Sequence, residues 1–279
     1  MDYVRPDAVI EHVVDAGAAK ARLGAMDLLI RGALAGALLG FATTLGLTAK
    51  AQTGLGVVGA LVFPARFVMI VLLGLELVTG NFALLPVASL DGKVSTTQIA
   101  ANWAWVFLGN LLGALLYAVL FHTGVGPNAA VVQEIVPAAE SKTIGYLTLG
   151  PQGLTAVVAK AVLCNWMVTL GVVLSFTSRS TVGKIAAMWL PILMFFAQGF
   201  EHSVVNMSLI PLGILFGAKV TLEQWWMWNQ IPVTLGNVLG GSLFTGIALY
   251  LTYRKPKAVE MTHAPAQEEA AADRQTRLE

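Results

Sequence analysis

Two uncharged stretches constrain the fold of this sequence more than any other feature. No Asp, Glu, Lys or Arg occurs from Val94 to Gln133, and none occurs from Gln224 to Tyr253. Uncharged, mostly apolar runs of more than roughly 18 residues are typical of helices that cross a lipid bilayer. Because 56% of the 279 residues are also hydrophobic, the chain is predicted to be a membrane protein rather than a soluble domain.

The apolar runs predict an all-α membrane protein with six transmembrane spans. The second and fifth runs are interrupted near their middle by Gly, Glu and Asn residues, so each is expected to form a broken helix. The net charge of +1 gives no basic surface for nucleic acid. The predicted spans are 28–49, 60–90 (broken), 100–121, 154–177, 185–216 (broken) and 229–253.

The two broken spans carry the same pattern, shifted by 125 positions. Each has a Gly two residues before a Glu, an Asn five residues after that Glu, and a Pro five residues further on. Three spans per copy is an odd number, so the two copies must face opposite ways, as a 3+3 inverted repeat of the kind that places transport sites at the membrane midplane. The matched residues are Gly74, Glu76, Asn81 and Pro86 in one copy and Gly199, Glu201, Asn206 and Pro211 in the other.

Three regions are expected along the chain. Residues 1–27 are predicted to form a cytoplasmic amphipathic N-terminal helix, residues 28–253 the six-helix transporter domain, and residues 254–279 a disordered cytoplasmic tail. Lys and Arg near the span ends fall mostly on one side, which favours cytoplasmic positions for both termini. The single Cys164 and the scattered histidines give no metal-ligand spacing, and no cofactor fingerprint is present.

Charged or titratable groups inside the predicted spans require a partner or a role, and we consider Glu76, Lys160, Glu201 and His202. The two glutamates occupy matching positions before each break. Either they bind ions, or they accept hydrogen bonds from the backbone N–H groups freed where the helix stops. Their symmetry favours the second, structural interpretation.

His202 has no counterpart in the first copy, where Leu77 stands at the matching position. It is either a buried histidine with ordinary partners or a proton donor at the centre of a pathway. The half-helices that start at the two breaks direct their positive N-terminal ends towards the midplane, which favours anions. Lys160 either snorkels to the outer interface or attracts anions into an outer vestibule, and Asn165 would continue that polar path.

The chain resembles the formate/nitrite transporter family from about Pro6 to Tyr253. The motifs that carry the resemblance are Leu77–Asn81, Leu163–Trp166, Ile231–Asn237 and, most specifically, Gly199–Met207. The resemblance implies a homopentamer of aquaporin-like subunits. Each subunit would have its own pore for small monovalent anions such as formate, nitrite or hydrosulfide.

The resemblance also implies roles for individual residues. Thr79 would hydrogen-bond His202. One apolar constriction would lie on the outer side of the histidine and another on the inner side. The alternative is that the constriction residues serve only in packing. The predicted substrate pathway comprises His202, Thr79, Lys160, Asn165, Asn206 and Glu201. The outer constriction would contain Phe63, Phe67 and Phe195, and the inner one Leu77, Val78 and Val168.

Two departures from the family pattern leave the substrate open. Val78 stands where many members have Phe. A lysine at the position of Lys160 makes the chain more similar to the nitrite and hydrosulfide branches than to the formate channels. The sequence therefore predicts a multi-pass inner-membrane transporter of formate, with transient protonation at His202 and with protons, lipid and further copies of the chain as partners. Nitrite or hydrosulfide transport is the alternative.

Two more remote alternatives remain open in the sequence. A water or glycerol channel of similar layout would carry Asn-Pro-Ala at both breaks, whereas these breaks contain Asn81-Phe82-Ala83 and Asn206-Met207-Ser208. An intramembrane hydrolase would need Ser203 as its nucleophile. No Gly-x-Ser-x-Gly elbow is present, and adjacent residues in a helix do not face each other.

Overall fold

A computed structural model describes residues 2–254, and the expected tail beyond Arg254 lies outside the described residues. Helices dominate this part of the chain, in agreement with the all-α prediction. They are α1 (Pro6–Ala21), α2 (Ala25–Thr53), α3 (Gly56–Leu72), α4 (Val78–Leu90), α5 (Thr96–Gly124), α6 (Val132–Ser141), α7 (Ile144–Thr148), α8 (Pro151–Ser175), α9 (Thr181–Ala197), α10 (Ser203–Leu215) and α11 (Leu222–Tyr253).

Four of the described helices are long and apolar enough to cross a membrane: α2, α5, α8 and α11. The shorter apolar helices form two successive pairs, α3 with α4 and α9 with α10. Within each pair about five residues are not helical, at 73–77 and 198–202. These pairs occupy the places where the sequence predicted the spans 60–90 and 185–216.

Glycine explains why α3 and α9 stop where they do. Gly74 and Gly199 have φ angles of +63° and +64°, a left-handed conformation that glycine adopts without steric cost. After α3, the N–H of Leu75 donates to the carbonyl of Ile70 and the N–H of Gly74 donates to that of Val71. The same two bonds follow Gly199, so both helices end in a Schellman motif.

Glycines also allow α2 and α5 to cross closely. Gly36 on α2 lies against the backbone of Asn110, and Gly113 on α5 lies against the backbone of Ala33, so neither position has room for a Cβ atom. Small residues at such crossings let helices pack in lipid through van der Waals contact. This pair forms the most extensive helix–helix contact of the described chain.

Helix α1 packs against α4 through one apolar face. Val9, Val13 and Val14 are buried, and Gly17 lies directly against the carbonyl of Leu84. The opposite face carries charges, such as Asp15, which pairs with Lys93 at 2.8 Å. Helix α1 is therefore part of the folded body of the protein.

The first residues of the chain are attached to the loop between α8 and α9. The carboxylate of Asp2 accepts hydrogen bonds from the N–H groups of Arg179 and Ser180, both at 2.8 Å, and from the hydroxyl of Ser178 at 2.7 Å. The hydroxyl of Ser178 is the largest cause that holds the pKa of Asp2 below its usual value of 3.8. Because the folded-state pKa is depressed, this attachment is present above pH 3.8 and is lost as the pH falls through the lowered pKa.

We therefore expect Asp2→Asn to release the N-terminal residues without disturbing the helices. Amide hydrogen exchange at Arg179 and Ser180 should be faster in the variant than in the wild type at pH 6. The two proteins should exchange alike once the pH is well below 3.8. Equal exchange at pH 6 would show that the carboxylate does not hold this loop.

Candidate functional site

The two helix interruptions meet at a histidine and a threonine. His202 is the N-terminal capping residue of α10, and Thr79 is the second residue of α4. His202 Nε2 lies 3.1 Å from Thr79 Oγ1, and both side chains are buried. The starts of the two half-helices α4 and α10 are therefore joined by one hydrogen bond in the protein interior.

The surroundings of the imidazole determine which nitrogen carries its proton. His202 Nδ1 accepts the backbone N–H of Val205 at 3.2 Å, so it has no proton of its own. The proton of the neutral ring is then on Nε2, which donates to Thr79 Oγ1. The hydroxyl hydrogen of Thr79 is left to donate to a third group.

The first N–H of each half-helix is bound by an asparagine from a neighbouring long helix. Val78 N donates to Asn110 Oδ1 at 3.0 Å, and Ser203 N donates to Asn237 Oδ1 at 2.9 Å. The sequence interpretation had given this task to Glu76 and Glu201, and in that detail it was wrong. The amide group suits the position because it accepts from one N–H while donating to two carbonyls nearby.

The two glutamates instead form buried ion pairs with lysines from outside the predicted spans. Glu76 is bound by Lys20 at 2.7 Å, and Glu201 is bound by Lys142 at 2.9 Å. Each carboxylate also accepts a 2.8 Å hydrogen bond from the asparagine five residues later, Asn81 or Asn206. Tyr146 adds a further hydroxyl donor to Glu201.

A second pair of asparagines connects these ion pairs to the long helices. Asn102 on α5 accepts from Asn81 at 2.9 Å and donates to the carbonyl of Lys20 at 3.1 Å. Asn229 on α11 makes the matching bonds, both at 2.9 Å, with the side chain of Asn206 and the carbonyl of Lys142. Each interruption thus has the same Lys–Glu–Asn–Asn network.

Sequence reasoning assigned no role at the interruptions to either lysine or to the four asparagines of α5 and α11, although the motif Ile231–Asn237 contains one of them. Lys20 lies in the last turn of α1, and Lys142 directly follows α6, a helix that the sequence analysis did not predict. A signal was present, because Asn102 and Asn110 recur after 127 positions as Asn229 and Asn237.

Aromatic rings cover one side of His202. The ring of Phe195 stacks on the imidazole with centroids 5.7 Å apart and an interplanar angle of 24°. Phe63 contacts Phe195 edge-on at 5.7 Å and stacks on Phe196 at 3.9 Å. Of the three expected outer-constriction residues, Phe195 therefore lies next to the histidine, and Phe63 lies on the neighbouring ring of Phe195.

A cavity of about 240 Å³ is lined by residues of the non-helical segment 73–77 and of the first turn of α4. Its walls are mostly aliphatic, and two lysines, Lys20 and Lys184, contribute to its lining. Phe67 and Leu77 both line it, although the sequence analysis had placed them in different constrictions. Because Phe67 lies about one helical turn beyond Phe63 along α3 and shares this cavity with Leu77, the proposal below moves it to the inner constriction, and the composition of both constrictions stays a prediction.

The remaining predicted residues take different positions. Asn165 Nδ2 donates to the carbonyls of Thr79 at 3.0 Å and Asn237 at 2.6 Å, so it supports the half-helix that carries Thr79. Lys160 is half-buried, with its ammonium 5.6 Å from the ring of Tyr146. Val78 and Val168 are fully buried.

A comparison with known families decides what kind of protein carries this site. The sequence profile of the formate/nitrite transporter family matches residues 7–251. The chain belongs to the formate/nitrite transporter family. Members of this family are transporters and channels rather than enzymes, which excludes the hydrolase based on Ser203. Within residues 2–254 no group of three His, Cys, Asp or Glu residues could hold a metal ion.

Individual relatives agree with this family assignment. The chain is 38% identical over 258 residues to a probable formate transporter of Methanothermobacter thermautotrophicus, a match that covers 85% of this chain and 91% of the relative. A solved formate/nitrite transporter family ion channel superposes with a TM-score of 0.79 at 29% identity, covering 89% of this chain and 99% of the other.

A pentameric formate channel with formate bound shares the fold, with a TM-score of 0.69 at 24% identity over 82% of this chain and 97% of the other. The protein is thus an all-helical membrane transporter with the fold of the formate/nitrite transporter channels.

Proposed function

We propose that this protein carries small monovalent anions, formate in particular, across the cell inner membrane along a path that passes Thr79 and His202. The observation that supports this most is the buried contact between His202 Nε2 and Thr79 Oγ1 at the starts of two half-helices. A hydroxyl with a free hydrogen, held beside an imidazole at two helix N-termini, is suited to bind a carboxylate.

The proposed architecture is a 3+3 inverted repeat, with α1–α5 and α6–α11 as the two halves. The Lys–Glu–Asn–Asn networks support it, because each half has one network at its interruption. In this arrangement the positive ends of α4 and α10 converge on one point, and both termini face the cytoplasm.

Positive side chains would raise the anion concentration at the entrances. Lys184 lines the 240 Å³ cavity beside Lys20, whose charge is paired with Glu76, and we assign this cavity to the cytoplasmic vestibule. We assign Lys160 to the opposite vestibule, with Asn165 beyond it. The network around Glu201 and Asn206 would fix the position of the segment before α10 and so maintain the path. The homopentamer implied for the family would contain one such path in each subunit.

Apolar constrictions would force the anion to lose water before it reaches the histidine. Phe63 and Phe195 would form the outer constriction, and Phe67, Leu77, Val78 and Val168 would form the inner one. An anion crosses such a region at high cost, whereas the neutral acid crosses far more easily. A proton shared at the centre would therefore speed passage.

The hydrogen bonds of His202 define how that proton would move. The ring first takes a proton at Nδ1 and releases the N–H of Val205, which gives an imidazolium. Thr79 then donates its hydroxyl proton to the carboxylate oxygen while it takes the Nε2 proton of the ring. The products are formic acid and a neutral imidazole that carries its proton on Nδ1. Uptake of a proton at Nε2 and loss of the Nδ1 proton to water restores the resting tautomer, so charge and protons balance over the cycle.

The test is flux into proteoliposomes that contain the purified protein. Formate, nitrite and hydrosulfide should each be compared at several pH values with protein-free liposomes, and glycerol swelling should be measured on the same vesicles. We expect formate to enter faster than glycerol and at least as fast as nitrite. Rapid glycerol swelling without formate entry would contradict the proposal, and nitrite entry that exceeds formate entry would change the assigned substrate.

A further inference from the structure

Helix α4 contains a backbone carbonyl whose usual donor is missing. In a continuous α-helix the carbonyl of Phe82 would accept the N–H of position 86, but Pro86 has no N–H. A backbone carbonyl without a donor is unfavourable in the interior of a membrane protein. The hydroxyl of Ser242 on α11 donates to this carbonyl at 2.7 Å, and both residues are buried. Ser242 therefore replaces the donor that Pro86 removes.

Helix α11 is irregular where it reaches α4. The stretch Gly240–Ile247 is π-helical, whereas the matching part of α5 is regular α-helix. Short π-helical stretches inside α-helices occur frequently at functional sites. A Cβ atom at Gly246 would lie 2.9 Å from the carbonyl oxygen of Ala83, so this stretch packs directly on the backbone of α4.

The hydrogen bond from Ser242 lies about one helical turn from Thr79. Asn165 on α8 donates to the carbonyl of Thr79 at 3.0 Å, and Ser242 donates to the carbonyl of Phe82 three residues later. Both donors belong to the same half of the chain as His202. They therefore fix the first turn of α4, from which Thr79 Oγ1 lies 3.1 Å from His202 Nε2.

The two helices that supply these donors are joined to each other. Thr169 Oγ1 on α8 donates to Thr245 Oγ1 on α11 at 2.8 Å, and both side chains are buried. Thr169 follows Asn165 by four residues and Thr245 follows Ser242 by three, which is about one turn in each helix. Helices α8 and α11 therefore hold α4 together rather than independently.

The matching position in the first half of the chain has no hydroxyl. Leu115 corresponds to Ser242 at the shift of 127 positions. Pro211 removes the usual donor for the carbonyl of Met207 in α10, just as Pro86 does in α4, but the side chain of Leu115 cannot replace it. Because α10 forms without such a hydroxyl, folding of the half-helix alone does not explain Ser242.

We propose that Ser242 is a positioning residue for transport, because its hydrogen bond to the Phe82 carbonyl holds Thr79 within reach of His202. Without this bond the first turn of α4 relaxes around Pro86, and the hydroxyl of Thr79 loses its alignment with Nε2. Ser242 thus acts through the backbone of α4. This inference rests on the proposed function, in which the proton passes from His202 through Thr79.

Formate flux into proteoliposomes, measured against pH, tests this role. Ser242→Ala should lower the flux by about 10-fold, which corresponds to the loss of one hydrogen bond of typical strength. Its flux should also rise less steeply than wild-type flux as the pH falls, because His202 no longer passes its proton efficiently. Ser242→Thr keeps the hydroxyl and should restore both the flux and the pH profile. Thr252→Ala removes an exposed hydroxyl from the same helix and should match the wild type.

A double-variant cycle separates positioning from a general effect on the fold. In Thr79→Val the hydroxyl that Ser242 positions is absent, so adding Ser242→Ala should lower the flux no further. An equal loss in both backgrounds would show a merely structural role and would overturn the proposal. A Ser242→Ala protein with the flux and pH profile of the wild type would overturn it as well.

Circular dichroism confirms that each variant folds. If Ser242→Ala does not fold, Ser242→Cys, which keeps a weak donor of similar size, should show the same losses to a smaller degree. Equal formate flux in the wild type and in Thr79→Val would contradict the proposed path itself. Wild-type flux that depends on Thr79 but not on Ser242 would contradict only the positioning role.

Discussion

Replacing Lys142 with methionine should lower the free energy of unfolding by about 3–5 kcal/mol, because it leaves a buried carboxylate without its cation. Glu201 is almost completely buried, and Lys142 approaches it at 2.9 Å. The remaining side-chain donors, Tyr146, Asn206 and Asn229, are neutral and cannot replace the lost charge. Lys20→Met should have a similar effect through Glu76, since the first half of the chain contains the same pair.

Denaturant titration in detergent measures this effect, and two further variants show its origin. Lys142→Met combined with Glu201→Gln removes both charges and should recover much of the lost stability. Lys93→Met breaks an exposed pair with Asp15 and should cost only about 0–1 kcal/mol. If Lys142→Met and Lys93→Met lower the free energy of unfolding by the same amount, the buried pair does not stabilise the fold in the way described.

The sequence was informative where a single residue type determines the local structure. The sequence analysis expected interruptions near Gly74 and Gly199, and in the structure these glycines have left-handed conformations two residues after α3 and α9 end. The resemblance also named Thr79 as the partner of His202, and the structure places their side chains 3.1 Å apart.

The sequence was less informative where the contact joins distant elements. Lys20 looked like a surface residue of an amphipathic helix, and only the packing of α1 against α4 brings it to Glu76. Helix α6 is ten residues long and contains Pro137, so its apolar period was too short to predict it. Lys142 was overlooked for the same reason.

Residues that differ between the two halves are informative in another way. The networks around Glu76 and Glu201 follow the repeat, as expected of a shared scaffold. His202 faces Thr79, and the repeat replaces these two residues by Leu77 and Val204 at the matching positions. We interpret the residues that differ between the two halves as those that contact the transported anion. The residues that match between the halves form the scaffold that positions them.

The second large effect is expected at His202. His202→Asn keeps a side-chain acceptor for the N–H of Val205, because asparagine is a favourable N-cap, but it removes the titratable ring. Loss of the hydrogen bond to Thr79 and of the proton donor should lower formate flux by about 10–100-fold, as expected for losing a hydrogen bond to a charged group. If the variant has the same free energy of unfolding as the wild type, the lower flux is a defect of transport and not of folding.

Formate flux into proteoliposomes as a function of pH, with wild type and His202→Asn side by side, tests the central claim most directly. If the imidazole takes a proton and passes it through Thr79, the ratio of wild-type flux to variant flux should rise as the pH falls. A ratio that stays at one across the whole pH range would contradict the claim that the anion passes this histidine.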